Sequence, residues 1–202
     1  MELRDALSQI AEIRQQMARG QLFRGYRSAT SAFSGSLAIF AGLLQPAVAP
    51  EPARQPAPFI ILWVSAAILS LIVVGVEMII RTRRSNSVVQ RQLSLLAVEQ
   101  FMPSIVAGAL LTYVFCDFLR HELWMLPGLW MILFSLGVFA SSRLLPRMVF
   151  AVGGVYLVAG ILTLVLAGKG LAFSPWLMAG TFGAGQFATS AILYLKLERA
   201  HG

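Results

Sequence analysis

One cysteine, two histidines and two lysines are all that this chain of 202 residues holds of three residue types that carry much of protein chemistry. A lone thiol, Cys116, excludes an internal disulfide and a cysteine-built metal site. His121 and His201 fall on opposite sides of the threading derived below, so no pair of imidazoles can ligate one iron. No G-x-S-x-G turn accompanies His121. Charge is scarce as well: 12% of residues are charged, against about 25% in an ordinary soluble domain. Together these absences predict a protein that is not an enzyme, with no cofactor and no metal, in a lipid solvent.

What the chain has in quantity is apolar residues, 57% of the whole, gathered in uninterrupted blocks of 17 to 22 residues. Such a block crosses a hydrocarbon core about 30 Å thick at 1.5 Å per residue. Lipid admits only helices and closed barrels, and barrel strands would alternate over about ten residues. The fold is therefore expected to be all-α, with six transmembrane spans at about 28–47, 59–80, 103–119, 123–141, 148–167 and 175–195.

Charge sets the threading. With six spans and a cytoplasmic start, the inner side holds Arg4, Arg14, Arg19, Arg24 and Arg27, then Arg81, Arg83, Arg84 and Arg91, then Arg143, Arg147, Lys196 and Arg199. The outer side holds Arg54, Arg120 and Lys169. Basic residues collect on cytoplasmic flanks, so both ends are expected in the cytoplasm. The net charge of +7 follows from this bias and from attraction to anionic head groups, with no nucleic acid implied. Arginine outnumbers lysine 14 to 2, a usage that points to a GC-rich prokaryotic genome and hence to a bacterial inner membrane. "AVA" at 47–49 resembles a leader cleavage site, but Pro50 follows it and a long hydrophilic stretch precedes the span. The first span reads instead as an uncleaved anchor.

Two amphipathic helices are expected on the cytoplasmic side. In residues 1–27, Leu3, Leu7, Ile10, Ile13 and Met17 line one face and Gly20 stops the helix. This helix has three candidate partners: the leaflet surface, a copy of itself, or the cytoplasmic loop. An arginine–aromatic anchor, "LFRGYR", follows it. Residues 87–102 form the second, with Ser87 as N-cap and Pro103 as a kink or restart before span three. Five prolines from Pro46 to Pro58 predict an extended outer loop. Residues 28–202 thus make one transmembrane domain, with residues 1–27 as its cytoplasmic preface. A three-plus-three repeat, frequent in transporters, has no residue-level support.

Candidate sites are few. Glu77 and Arg81, four apart on one helix, suit an interfacial ion pair, as do Asp117 and Arg120. No carboxylate falls near a midplane. Gln186 does, in "GTFGAGQFATS", and an unpaired amide in lipid costs several kcal/mol. Ser70, Thr112, Tyr113, Ser135 and Tyr156 lie at a similar depth as partners. Small residues run along span six at Gly180, Ala184 and Ala188, and along span one at Ser31, Gly35, Ala38 and Gly42, as close-packing or self-association faces. Gln186, about 200° round the helix from Ala184, points away from the first of these stripes. It is either interhelical glue or the wall of a solute pocket. The two corresponding functions are a membrane scaffold or regulator acting through its cytoplasmic helices, and a small transporter or channel for an uncharged or weakly polar solute. Apart from the bilayer, the expected partner is a protein or a second copy, met through helix 1–20.

The threading makes a direct prediction. In a Cys116→Ser background, a cysteine at position 54 should react with an impermeant maleimide from outside. A cysteine at position 83 should react only after permeabilisation, and the reverse pattern would refute the threading.

Overall fold

The computed structural model describes residues 28–84, 88–144 and 146–195. Among them are six α-helices and no strand: α1 (Ser28–Val48), α2 (Pro56–Arg84), α3 (Val88–Asp117), α4 (Leu126–Ser141), α5 (Met148–Leu166) and α6 (Pro175–Leu193). Short helical turns at Arg120–Met125, Ser142–Leu144 and Ala167–Leu171 join them. Five stretches are long and apolar enough to cross a membrane: α1, Pro56–Ile80 of α2, Leu95–Asp117 of α3, Arg120–Ser141 around α4, and α5. The chain is a helical, multi-pass membrane protein. α6 stands apart, its apolar character diluted by Pro175, Thr181, Gln186, Thr189, Ser190 and its glycines.

Two local expectations change. The proline-rich loop is shorter than its prolines imply, because Pro46 sits inside the last turn of α1 and Pro56 opens α2. A first-turn proline forfeits only a donor that has no helical partner anyway. What remains is a tight link through residues 49–55, closed by Gln55 N–H to Glu51 carbonyl at 2.9 Å and by an exposed Arg54–Glu51 ion pair at 3.3 Å. Residues 88–102 are no separate helix: α3 runs unbroken through Pro103 for 30 residues, as membrane helices tolerate. The helix expected in residues 1–20, the anchor up to residue 27 and Ser87 lie outside the described residues. Between α5 and α6 the chain reverses at Gly170, whose φ of 77° suits glycine.

The helices are neighbours in chain order all the way round, and α6 closes the cycle on α1 in the most extensive contact of the molecule. The α2–α3 contact is the thinnest. Glycine decides where backbones meet. A Cβ on Gly42 would strike the Cβ of Ala179, and one on Gly183 would lie 2.8 Å from Ile39 Cγ1. α4 and α5 repeat the device: a Cβ on Gly128 or on Gly160 would lie 2.8 Å from the other's carbonyl oxygen. The α1 face is the expected one. On α6 the packing face is Ala179, Gly183 and Gln186 instead, while Gly180, Ala184 and Ala188 are exposed. Gln186 thus does point away from the 180–184–188 stripe, and what it points towards is α1.

Overpacking tests this closure. Gly42→Val should destabilise the protein in SDS-driven unfolding by roughly 1–3 kcal/mol. Gly180→Val, where nothing lies within 4 Å of the added Cβ, should change it little.

Candidate functional site

Two buried amides organise the polar interior. Call the distal end the one carrying residues 49–55 and the Gly170 turn, and the proximal end the one where Ser28 enters. Gln45 sits near the distal end of α1 and is 2% exposed. Its Nε2 donates to the Phe173 carbonyl at 2.7 Å, and its Oε1 accepts from Trp63 Nε1 at 3.0 Å. One side chain thereby joins α1, α2 and the α5–α6 connection. Aromatic rings pack beside it: Phe59 lies parallel to Trp130 at 6.5 Å between centroids and edge-on to Phe173 at 5.0 Å. Burial in such a place strengthens each bond and makes each orphan costly. Within span one nothing marks Gln45 out, since both of its partners come from other elements. Its pairing signal was Trp63, the only tryptophan within span two and at matching depth.

Gln186 is 9% exposed and lies against α1, where a Cβ on Gly35 would be 3.2 Å from its own Cβ. Its Oε1 is buried and has no hydrogen-bond partner among the described residues. Of its five expected partners, Tyr156 comes nearest in the fold. The Tyr156 ring packs against Gly185, and its hydroxyl donates to the Phe182 carbonyl at 3.3 Å. Phe134 completes that cluster, 4.8 Å from the Tyr156 ring and 5.6 Å from the Phe182 ring. Thr112 serves α3 and α4 instead, donating to the Gly108 carbonyl at 2.7 Å and accepting from Trp130 Nε1 at 2.9 Å. Ser135 is fully buried and donates to its own helix at the Ile132 carbonyl. Tyr113 faces outward, with Phe118 edge-on to it at 6.3 Å. Ser70, partly exposed, lies on α2, and the structure does not gather these residues into one site.

The expected interfacial pairs fare differently. Arg120 Nε donates to the Cys116 carbonyl at 3.0 Å, and no ion pair joins it to Asp117. A helix-end carbonyl without a helical partner is the competing acceptor. Glu77 is half-buried, and the Arg81 side chain lies outside the described residues. Trp124 donates to Glu122 at 2.8 Å. Among the described residues, no three His, Cys, Asp or Glu side chains group as metal ligands. Two open hollows stand out on the surface. One, of about 580 Å³, runs along α3 from Leu95 to Val106, and one of about 600 Å³ lies between residues 50–54 and 170–175. Neither reaches Gln186. Comparison with protein-family models, curated proteins and solved structures gave no match.

Gln45→Leu should destabilise the bundle by about 1–3 kcal/mol, since it strands a buried indole N–H and a carbonyl. Adding Trp63→Phe should cost less than the sum of the single changes. Strict additivity in unfolding titrations would refute the link.

Proposed function

We propose that this is a non-enzymatic integral membrane component that crosses a bacterial inner membrane six times with both ends cytoplasmic. It acts as a scaffold or regulator through its cytoplasmic helices. The sixth crossing is α6. Its polar residues lower its hydropathy, yet Gln186 and Thr189 lie on its buried face. At 19 residues, α6 is about 28 Å long, close to the thickness of a hydrocarbon core.

One observation carries the scaffold reading. α2 has 29 residues and α3 has 30, so each is about 45 Å long where a core of about 30 Å needs only two thirds of that. The surplus lies at the end that carries Arg81, Arg83, Arg84 and Arg91. Two helices therefore project together from the membrane on the side that the arginines mark as cytoplasmic. Their membrane portions leave broad apolar faces, including Ile61, Ile72 and Ile79 on α2 and Leu95, Val106 and Leu110 on α3. A projection continuous with a span transmits a displacement at its tip along the rod, which a separate surface helix on a loose hinge would not.

A second reading, passage of an uncharged or weakly polar solute beside Gln186, draws support from the unpaired Oε1. The burial of that same oxygen, which leaves almost no surface for a solute to touch, weighs against it.

A photocrosslinker at the exposed position 92 separates the two. On the scaffold reading it should join the chain to a discrete protein or to a second copy, and deleting residues 1–20 should abolish or shift the adduct. Lipid adducts alone, together with solute flux in proteoliposomes that Gln186→Leu abolishes, would replace the scaffold by the transporter.

A further inference from the structure

One face of α3, near its proximal end, has no covering element among the described residues. Leu95, Val98, Glu99, Met102, Pro103 and Val106 recur at three- and four-residue steps and line the hollow of about 580 Å³. About 20 residues fill a hydrocarbon core, and counted back from Asp117 they end at Val98. Leu95 and Leu96, both exposed, therefore stand at head-group level, where lipid tails do not cover them. Glu99 is exposed in the same face and has no ion pair among the described residues. A fitting cover for this face is apolar and carries one cation.

Residues 1–20 have that chemistry. At about 100° per residue, Leu3, Leu7, Ile10, Ile13 and Met17 share one arc of a helix. Arg14 falls inside that arc, between the bearings of Leu3 and Leu7, and is the one charged residue there. The stripe from Leu3 to Met17 would be about 21 Å long, and the hollow from Leu95 to Val106 is about 17 Å long. Reach is sufficient too. Ser28 enters at the proximal end, and α3 is two places from α1 in the cycle. That is about 20 Å at 8–10 Å per packed pair, and residues 21–27 span up to about 23 Å when extended.

We propose that the apolar face of residues 1–20 docks on the Leu95–Val106 face of α3 of the same chain, with Arg14 against Glu99. The inference rests on the six-crossing reading above, which places both segments on the cytoplasmic side, and it names the partner of the first helix. Two competitors are weaker on physical grounds. Glu2, Asp5 and Glu12 balance Arg4, Arg14 and Arg19, so the segment has little electrostatic draw to an anionic leaflet. A second copy must compete with a tethered segment whose effective concentration is in the millimolar range. The docked segment covers the face, so a partner that binds α3 there must first displace it.

The test uses the full chain in native membranes, in a Cys116→Ser background with Ile10→Cys and Leu95→Cys. A short bis-maleimide should join the two cysteines within one chain, read as linked tryptic peptides from the monomer band. Glu99→Arg or Arg14→Glu should each lower the yield roughly fivefold or more, and the two together should restore it. No link, a link only between chains, or a yield indifferent to the charge swap would overturn the docking. If an impermeant maleimide still reaches both cysteines only after permeabilisation, the scaffold reading survives that loss. Labelling of position 95 from outside would overturn the threading and the docking together.

Discussion

The structure depends on one contact, the near-backbone approach of the last helix to the first. Apolar surface gives no net drive between helices already in lipid, so association rests on close packing and on the few polar bonds that form. Gly42 against Ala179 and Gly183 against Ile39 supply the packing, and the Ser190–Ser28 bond pins the proximal end across 162 residues of sequence. Because consecutive helices are already neighbours, this one seam turns a row of helices into a cycle. Any side chain larger than hydrogen at Gly42 would push α6 outward, and the α5–α6 connection that Gln45 holds would move with it.

The helices themselves were legible in the sequence for a reason specific to lipid. A backbone with no water to bond must be helical, so a long apolar block announces both its conformation and its length. Thus α5 starts at Met148, where its block starts. What a single sequence leaves open is which helix lies opposite which. The helical period fixes the angle between Gln186 and Ala184 within α6, and that angle holds. It says nothing of whether the neighbour lies on the glutamine side or the alanine side. The small stripe at Gly180, Ala184 and Ala188 drew the eye, yet those residues are exposed and α1 lies against the opposite face. The same limit hid Gln45, whose importance comes entirely from Trp63 and Phe173 brought to it by other elements.

Hydropathy and burial also disagree instructively. α6 is the least apolar of the six helices by window, and α2 and α3 expose much of their length. A helix enclosed by protein can carry amides and hydroxyls, because their surroundings are other side chains and carbonyls. A helix on the rim must be apolar on its outward face. In α6 the amide of Gln186 and the hydroxyl of Thr189 fall on its buried face, while its exposed positions include Trp176, Phe187 and Ala188.

That division separates two mechanical parts. α1, α4, α5 and α6 share the glycine contacts at backbone distance, which fix their spacing within narrow limits. The α2–α3 contact is thin, and Gly75 on α2 has no atom within 4 Å of where a side chain would begin. At the distal end α2 is held by Phe59, Trp63 and Gln45; towards its arginine-rich end Val76, Ile79 and Ile80 are exposed. Among the described residues, then, α2 is gripped at its distal end and thinly packed towards the other. Gln45 joins the two parts, since the same amide accepts from Trp63 of α2 and donates to the Phe173 carbonyl just before α6.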